Sequence, residues 1–550
     1  MVKLNAIARR RALSILLVGV LSFGGCFLVA VFRGIPLPCY HDEFSYLLAG
    51  DTFVHGHVTN PTHPMWEHFE TFHELMRPTY MSKYPPGQGL FLAMGQILFG
   101  HPIYGVWLSA SLMCMAICWM LYAWVPPYWA FIGGLVSVLQ FGVFTYWSQS
   151  YWGGAVAAFG GALVFGSLPR IFKYQRIRDV LWLGLGIAVL ANSRPLDGIL
   201  IGIPVGVMVL PWKIKWESVK TCKFVKKVVV PFSLILLLTL IVTGTYNKAV
   251  TGHAFVFPHL LYAKTYSAVP HLILEPLEKS PQYNNQTMAS YEQNWTKMYY
   301  LQKKSWEGFV KDLINDTAHI FMFFLGFPLA IPSLAIVFLM FLRRQRVGLF
   351  ILAVMTIIGT CAALTCLAKM HYFAALTCVA VLLITAGLRV MSILKFRNAH
   401  VGFILVNCLI FFQLVINIMN IFTPTDLTMG RVQGPTTDKN LNGFFTRQKL
   451  ISVLLKKEGK HLVIVRYDPQ HIIHYEWVYN DADIDHSPIV WAREMGMMKD
   501  KELLEYFKDR QVWYVQVGWL DQYSFRKFDR RYIEAGWPDQ FDTFEFYYSR

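Results

Sequence analysis

Long apolar stretches separated by short polar segments fill most of the first 421 residues. A helix needs about 20 residues to cross the hydrocarbon core of a bilayer, where every backbone polar group must be bonded within the protein. This pattern predicts an all-α polytopic membrane protein over residues 1–421. About eleven spans are predicted, at residues 12–32, 103–123, 128–147, 152–168, 180–193, 196–211, 228–246, 319–342, 347–367, 371–388 and 401–421.

Lysine and arginine occur mainly in short clusters between the apolar stretches, at residues 9–11, 170–178, 213–227, 343–346 and 389–397. Cytoplasmic loops of membrane proteins are enriched in these residues, so we predict a cytoplasmic N-terminus that puts every cluster inside. Segments 33–102, 247–318 and 422–550 then lie on the extracytoplasmic side. The net charge of +16 comes largely from such clusters rather than from one basic face, so a nucleic-acid partner is not predicted.

The last outer segment, 422–550, differs from the rest of the chain and is predicted to be an extracytoplasmic domain. Short runs typical of buried strands occur at 461–466, 489–492 and 512–517, and apolar residues with helical spacing occur at 499–508. Strands that alternate with a helix indicate a small α/β domain. In the first outer segment, amphipathic stretches rich in histidine, proline and aromatic residues predict short helices on the membrane surface.

The composition supports a membrane protein. Hydrophobic residues make up 55% of the chain and charged residues only 15%, whereas an ordinary soluble domain contains about 25% charged residues. A water-soluble fold could not bury so much apolar surface, but a bilayer can cover it.

Two adjacent acids, Asp42 and Glu43, follow the first predicted span closely. Carboxylates at a membrane interface are costly to desolvate and therefore suggest a function. One of them can act as a general base that removes a proton from an acceptor hydroxyl or amine, while the other orients it. The alternative is that both begin an exposed helix, where acids interact favourably with the helix dipole.

Basic residues at predicted outer positions are candidates for binding a phosphate. Lys83 comes just before the second span, where it can meet a lipid phosphate or simply extend its ammonium group to the interface. Arg194 occupies a predicted outer turn, where it can pair with Asp197 or bind a phosphate through two parallel hydrogen bonds. Lys369 and His371 occupy another predicted outer turn and present the same two alternatives.

Trp152 belongs to an outer turn, residues 147–154, that is rich in aromatic rings. Such rings can stack on sugars and lipid head groups. Aromatic belts also line membrane interfaces in general, so either interpretation is compatible with the pattern.

Histidines are frequent in the first outer segment, at positions 41, 55, 57, 63, 68 and 73. Their spacing matches no known metal site, and no cysteines accompany them. We therefore predict no metal or other cofactor and expect solvated histidines at the interface, with a divalent metal as the alternative.

The order of these features resembles the GT-C superfamily of membrane glycosyltransferases, most closely its protein O-mannosyltransferase and aminoarabinose-transferase group. In that group the first span is followed by an outer loop with Asp-Glu and then a Tyr, which Asp42, Glu43 and Tyr46 match here. A Lys-x-Pro-Pro-like element precedes the second span, and residues 83–86 match it. A C-terminal extracytoplasmic α/β domain also occurs in the group.

The resemblance implies an integral membrane enzyme that moves a sugar from a polyprenyl-phosphate carrier to a lipid, glycan or protein acceptor on the extracytoplasmic side. Asp42 or Glu43 would be the base. The lipid phosphate would be held by Lys83 and Arg194, and further substrate contacts would come from Lys369, His371, Tyr46 and Trp152. The basic clusters are compatible with a bacterial inner membrane.

A membrane transporter or lipid flippase with an accessory outer domain is the alternative function. Transporters usually carry ionisable groups near the middle of the membrane, within broken helices that belong to inverted repeats. Here the predicted spans contain almost no acids, and the charges of interest lie at the outer interface. The pattern therefore favours a transferase.

Overall fold

The computed structural model describes most of the 550 residues, namely 2–209, 224–277, 279–342, 355–357, 359–360, 363–366, 369–397, 399–422, 442–469, 471–518 and 523–528. Most of the predicted span 347–367 and the predicted junction after residue 421 lie outside these ranges. The described chain is mostly helical and ends in a small sheet, so the predicted fold class is confirmed.

Helices account for most of the chain up to residue 209, including the first outer segment. The helices up to residue 209 are α1 (Val2–Arg9), α2 (Arg11–Arg33), α3 (His41–Val54), α4 (Trp66–Phe69), α5 (Pro86–Phe99), α6 (Ile103–Leu121), α7 (Pro127–Ser137), α8 (Tyr146–Gln149), α9 (Ala155–Tyr174), α10 (Ile177–Ala191) and α11 (Pro195–Val209). Small residues let neighbouring helices approach closely. A Cβ atom at Gly105 of α6, for example, would lie 1.8 Å from the Phe91 carbonyl oxygen of α5.

The second half of the membrane part contains longer helices and the second outer segment. Its helices are α12 (Val230–Thr251), α13 (Pro258–Tyr266), α14 (Gln286–Ala289), α15 (Lys297–Lys304), α16 (Trp306–Phe324), α17 (Phe327–Leu342), α18 (Thr377–Ser392) and α19 (Val401–Phe422). Three of these helices are directly preceded by helical turns that are wider or tighter than those of an α-helix. These are the π-turns Val225–Val229 before α12 and Ser290–Thr296 before α15, and the 3₁₀ turn Met370–Leu376 before α18.

Six helical stretches in the described ranges are long and apolar enough to cross a membrane, at residues 11–33, 103–121, 155–174, 225–251, 370–392 and 401–420. A seventh span results if α16 and α17, which meet at an angle of 100°, are counted together. Shorter helices occupy the predicted spans 128–147, 180–193 and 196–211. The number of about eleven spans, and the side of the membrane on which each loop lies, therefore remain predictions.

The predicted span 128–147 is not one continuous helix. Helix α7 ends at Ser137 and continues as a π-turn, Val138–Gly142, before the backbone becomes extended at Thr145. The carbonyl of Gly142 accepts hydrogen bonds from the side chains of Ser22 and Cys26 on α2, at 3.1 and 3.0 Å. Because these donors satisfy a carbonyl at the end of the helix, the helix can stop inside the protein.

The first outer segment contains the short helices α3 and α4 and a small antiparallel sheet. The strands β1 (Asn60–Pro61), β2 (Glu74–Leu75) and β3 (Thr79–Ser82) are arranged in the order β1-β3-β2. The prediction of short helices is confirmed, but most of α3 is covered by other parts of the chain rather than exposed. Sequence patterning did not predict this sheet because its strands have only two to four residues.

The C-terminal segment forms the predicted α/β unit. It contains the helices α20 (Asn442–Leu454) and α21 (Met497–Tyr506) and the strands β4 (His461–Tyr467), β5 (Ile489–Arg493), β6 (Gln511–Val517) and β7 (Tyr523–Lys527). The sheet order is β5-β4-β6-β7, with β4 parallel to both of its neighbours and β7 antiparallel. The three predicted strands and the predicted helix are each found within two residues of their expected bounds.

The C-terminal unit packs directly on the first outer segment. Leu48 and Phe69 share one apolar core with Ile464. The Asp51 carboxylate accepts a hydrogen bond from the Ala482 backbone N–H at 2.8 Å. The C-terminal unit therefore covers the loop in which the two candidate acids lie.

Candidate active site

Glu43 uses both carboxylate oxygens to bind backbone N–H groups. One oxygen accepts hydrogen bonds from Cys39 and Tyr40 at 2.8 and 3.0 Å, and the other accepts one from Tyr151 at 2.9 Å. The side chain is buried, and burial raises the pKa of Glu43 to about 7, against the opposing effect of its backbone donors. Glu43 thus joins the first turn of α3 to the segment between α8 and α9.

Asp42 points in a different direction and remains accessible. Its side chain is 20% exposed, and one carboxylate oxygen accepts a hydrogen bond from the Tyr84 hydroxyl. The other oxygen lies 3.8 Å from Nε2 of His73. Of the two adjacent acids, Asp42 is therefore the one whose carboxylate is available for chemistry.

Lys83 lies on the other side of His73. Its ammonium nitrogen is 2.7 Å from Nδ1 of His73 and sits 4.5 Å from the centre of the Tyr262 ring. Burial lowers the pKa of Lys83 to about 8, although the carboxylates of Asp42 and Glu292 oppose the change. Lys83 is therefore a partly buried cation whose proton is held less firmly than that of an ordinary lysine.

His73 connects the two candidate residues. Burial, together with the nearby charge of Lys83, lowers the pKa of His73 well below its usual value, so its ring is neutral at pH 7. A neutral ring that accepts from Lys83 at Nδ1 carries its proton on Nε2, facing Asp42. The imidazole can then orient both groups at once.

The backbone of His73 adopts a conformation that non-glycine residues rarely use, with φ at +64°. Its carbonyl accepts hydrogen bonds from Ser45 Oγ at 2.6 Å and from the Lys83 N–H at 3.1 Å. Its own N–H donates to the Tyr262 hydroxyl at 3.1 Å. Such a conformation persists only where surrounding contacts hold it, and it is frequent at functional sites.

Arg194 forms the ion pair that its spacing suggested, with Nε 3.3 Å from Oδ2 of Asp197. The guanidinium carbon also lies 4.1 Å from the centre of the Tyr372 ring. The Asn192 carbonyl of the same turn accepts a hydrogen bond from the Gly87 N–H at 2.7 Å. This bond holds the Arg194 turn against the start of α5, directly after the Lys-Tyr-Pro-Pro element.

Aromatic rings connect the acid to the arginine. Tyr84, which donates to Asp42, stacks on Tyr46 with ring centres 4.4 Å apart. Tyr46 and Tyr372 lie within electrostatic range of both Asp42 and Arg194. We refer to the group that shares this space as the polar cluster, which consists of Asp42, Lys83, Arg194, Tyr46, Tyr84, His73 and Tyr372.

Trp152 and His371 lie beside the polar cluster and contact each other, with ring centres 5.1 Å apart. The Tyr146 hydroxyl lies 3.3 Å from Nδ1 of His371. Lys369 differs from them because it is exposed. Its charge interacts with His371, although no direct side-chain contact with the cluster is observed among the described residues.

The expectation of solvated histidines is wrong for three of the residues concerned. His41, His68 and His73 are buried, because the C-terminal unit and the second outer segment cover the loop that carries them. His41 bonds to the Tyr479 hydroxyl at 2.7 Å, and His68 bonds to the Arg493 carbonyl at 2.9 Å. Across the described ranges, no three His, Cys, Asp or Glu side chains converge as metal ligands would.

Two important residues of the site escaped the sequence analysis. His73 was noted only as one of several loop histidines, and Glu292 belongs to a segment without a recognisable motif. Glu292 is buried and accepts a hydrogen bond from the Ala268 N–H at 3.2 Å, and burial raises its pKa to about 7. Neither residue has a spacing signal: His73 meets Lys83 where β2 pairs with β3, and Glu292 affects Lys83 only through its charge.

No family model matches this sequence, and no curated protein matches it either. Several solved structures are similar in fold. ArnT from Cupriavidus metallidurans in the apo state aligns with a TM-score of 0.48 and 12% identity, over 90% of this chain and 92% of that chain. The same protein bound to undecaprenyl phosphate aligns with a TM-score of 0.43 and 12% identity, over 92% and 93% of the two chains.

The oligosaccharyltransferase of Archaeoglobus fulgidus, tethered with an acceptor peptide, aligns with a TM-score of 0.47 and 11% identity. The alignment covers 92% of this chain and 68% of that chain.

Proposed function

We propose that this chain transfers a sugar from a polyprenyl-phosphate carrier to an acceptor on the extracytoplasmic side of a bacterial inner membrane. The polar cluster carries the proposal, because the carboxylate of Asp42 lies within electrostatic range of two partly buried cations, Lys83 and Arg194. This is the combination of groups that transfer from a phosphate leaving group requires. The cluster lies next to the membrane helices, where a lipid-linked donor is accessible.

In the proposed reaction, Asp42 accepts the proton of an acceptor hydroxyl or amine as that group attacks the anomeric carbon of the sugar. The bond between the anomeric carbon and the phosphate oxygen breaks, and its electron pair stays on the phosphate. Lys83 and Arg194 stabilise the additional negative charge that develops on the departing prenyl phosphate. A single displacement of this kind inverts the configuration at the anomeric carbon.

Glu43 and His73 are positioning residues in this mechanism. Glu43 holds the first turn of α3 through its backbone hydrogen bonds, and so fixes the direction of the adjacent Asp42 side chain. His73 lies between Asp42 and Lys83 and keeps the base and one cation at a defined separation.

An apolar groove on the membrane helices favours a donor that is linked to a lipid. It has a volume of about 630 Å³ and lies between α10 and α12, lined by residues such as Leu185 and Leu238. At one end it reaches Asn192, two residues before Arg194. A prenyl chain in this groove would therefore have its phosphate close to the guanidinium group. A nucleotide-linked donor would gain nothing from such a groove.

A transfer assay with purified protein tests the proposal. The donor is a synthetic undecaprenyl phosphate that carries a radiolabelled sugar, and the acceptors are total lipid and glycan fractions from the cell envelope. We expect label to move into an acceptor and free undecaprenyl phosphate to appear in equal amount. Movement of intact donor across a vesicle membrane without any cleavage would instead establish the flippase alternative.

The pH dependence of the reaction depends on Lys83. Because its pKa is lowered to about 8, its ammonium group is present at pH 7 and is lost as the pH rises through 8. We expect kcat/KM for the donor, which reports groups of the free enzyme, to fall above about pH 8. In the Lys83→Arg variant, whose guanidinium stays protonated, this alkaline decrease should disappear.

Lys264→Arg is the matched control, because Lys264 is exposed on the nearby helix α13. Its pH profile should equal that of the wild type. An alkaline decrease that persists unchanged in Lys83→Arg would show that another group titrates, and Lys83 would then not be the cation that binds the donor.

A further inference from the structure

A second polar site lies in the extracytoplasmic part of the chain. We propose that the cleft between the C-terminal sheet and the second outer segment binds a neutral oligosaccharide. The identification of this oligosaccharide as the glycan part of the acceptor rests on the proposed function. The cleft has a volume of about 590 Å³, within the range of about 300–1,000 Å³ that is typical of small-molecule sites.

The cleft lies at the position where parallel sheets usually bind ligands. Strand β4 has β5 on one side and β6 on the other. The connection from β4 to β5 therefore runs in one direction and the connection from β5 to β6 in the other, and such a switch leaves a crevice at the carboxyl ends of the strands. Tyr467 at the end of β4, Arg493 at the end of β5 and Gln516 near the end of β6 line one wall. Residues Asn284–Thr287 and Ser290 line the opposite wall.

Hydrogen bonds hold the two walls together. Arg493 donates to Thr287 Oγ1 at 2.9 Å and to Glu476 at 2.7 Å. On the opposite wall, the Asn285 amide donates to the Glu70 carboxylate at 3.2 Å. The cleft is therefore formed before any ligand binds, which reduces the entropy cost of binding.

Each guanidinium group in the cleft is paired with a carboxylate. Arg466 lies 3.5 Å from the Glu494 carboxylate, and Arg493 lies 2.7 Å from the Glu476 carboxylate. Both guanidinium groups already have an anionic partner, so the cleft has no excess positive charge for a phosphate. The site therefore favours a ligand without net charge.

The turn after β4 also disfavours a nucleotide. Nucleotide sites at this position use glycine-rich turns whose N–H groups bind the phosphates. Here the turn contains Asp468, which is acidic, and Pro469, which has no N–H group. The lining also includes amides, hydroxyls and carboxylates, three apolar side chains, and the stacked rings of Tyr467 and His471. These groups match the hydroxyls and the apolar faces of a sugar.

The cleft is separated from the polar cluster by about one layer of side chains. Ser290 lines the cleft, and the next residue, Tyr291, contacts the ring of His41 with centres 5.5 Å apart. His41 immediately precedes Asp42. A glycan held in the cleft could therefore extend towards the base.

Binding of trisaccharides to the full-length protein in lipid nanodiscs tests the proposal. The probes are trisaccharides of glucose, mannose and N-acetylglucosamine, followed by saturation-transfer NMR, with inorganic phosphate as competitor. We expect at least one of them to bind, and Gln286→Trp, which fills the cleft, to weaken binding about 10-fold or more. Gln302→Trp, at an exposed position away from the cleft, should bind like the wild type. Gln516→Ala provides a milder change if the tryptophan variant fails to fold.

Three results would overturn the binding site: no trisaccharide binds, the Gln286→Trp and Gln516→Ala variants bind as well as the wild type, or phosphate displaces the sugar. The Asp42→Asn variant separates this inference from the proposed function, because it should bind the trisaccharide normally even if no transfer occurs. In an active transferase, Gln286→Trp should raise KM for the acceptor and leave donor affinity unchanged. An unchanged KM would overturn the assignment of the ligand as acceptor.

Discussion

Replacing Asp42 with asparagine is expected to lower the rate of sugar transfer by about 100-fold or more, because the variant cannot accept the acceptor proton. The amide has nearly the same size and can still accept the hydrogen bond from the Tyr84 hydroxyl. The amount of folded protein and its melting temperature should therefore remain close to those of the wild type. The measurement is turnover of a synthetic polyprenyl-phosphate sugar by both purified proteins.

Glu43→Gln is the matched control, since it makes the same chemical change one residue further along the chain. The glutamine keeps only one oxygen acceptor, although three backbone N–H groups point at the Glu43 carboxylate. A buried donor without a partner costs about 1–3 kcal/mol, so we expect lower stability, and we expect turnover per folded molecule to fall less than in Asp42→Asn. If Glu43→Gln is inactive while Asp42→Asn is active, the base is Glu43. If both variants and the double variant remain active, the first outer segment does not supply the base.

Replacing Arg194 with alanine is expected to weaken donor binding about 30-fold or more, because removing one partner of a buried charge contact costs about 2–5 kcal/mol. Arg194 is only 18% exposed, so water cannot fully replace its contact with the phosphate. Arg194→Lys keeps the charge but loses the two parallel hydrogen bonds, and its affinity should lie between those of the alanine variant and the wild type. The measurement is the Kd for undecaprenyl phosphate by competition binding.

Asp197→Asn separates this role from a structural one. It removes the ionic partner of Arg194 but leaves the guanidinium group in place. If Arg194 serves only the ion pair, Arg194→Ala and Asp197→Asn should lower the melting temperature alike, and neither should change donor affinity. A graded loss of affinity in the order wild type, Arg194→Lys, Arg194→Ala supports phosphate binding.

Most of the fold class was predictable because hydrophobic length and strand alternation are local properties of a sequence. The apolar stretches within the described ranges form helices, and the three short strands predicted for the C-terminal unit lie in one sheet. The interruption after Ser137 was not predictable. It depends on Ser22 and Cys26, which bind the Gly142 carbonyl from a helix more than a hundred residues earlier in the chain.

The candidate residues were predictable only as separate positions. An acid pair after a span, a lysine before the next span and an arginine in a turn are visible in the sequence because charges at a membrane interface are unusual. The sequence did not show that Asp42, Lys83 and Arg194 share one space, because their separation depends on how α3, α5 and the turn before α11 pack. The hydrogen bond between Gly87 and Asn192 is one of the contacts that bring them together.

The sequence by itself therefore determined that this chain has the helices of a membrane protein, a C-terminal α/β unit and a small set of charged candidates. Only the tertiary structure decided which of the two adjacent acids is accessible. The carboxylate of Glu43 accepts a hydrogen bond from the backbone N–H of Tyr151, which belongs to a distant segment of the chain. The tertiary structure also decided that His73 is buried between Asp42 and Lys83. The physical reason is that side-chain direction and desolvation depend on contacts between distant segments, whereas span length and strand pattern depend on neighbouring residues.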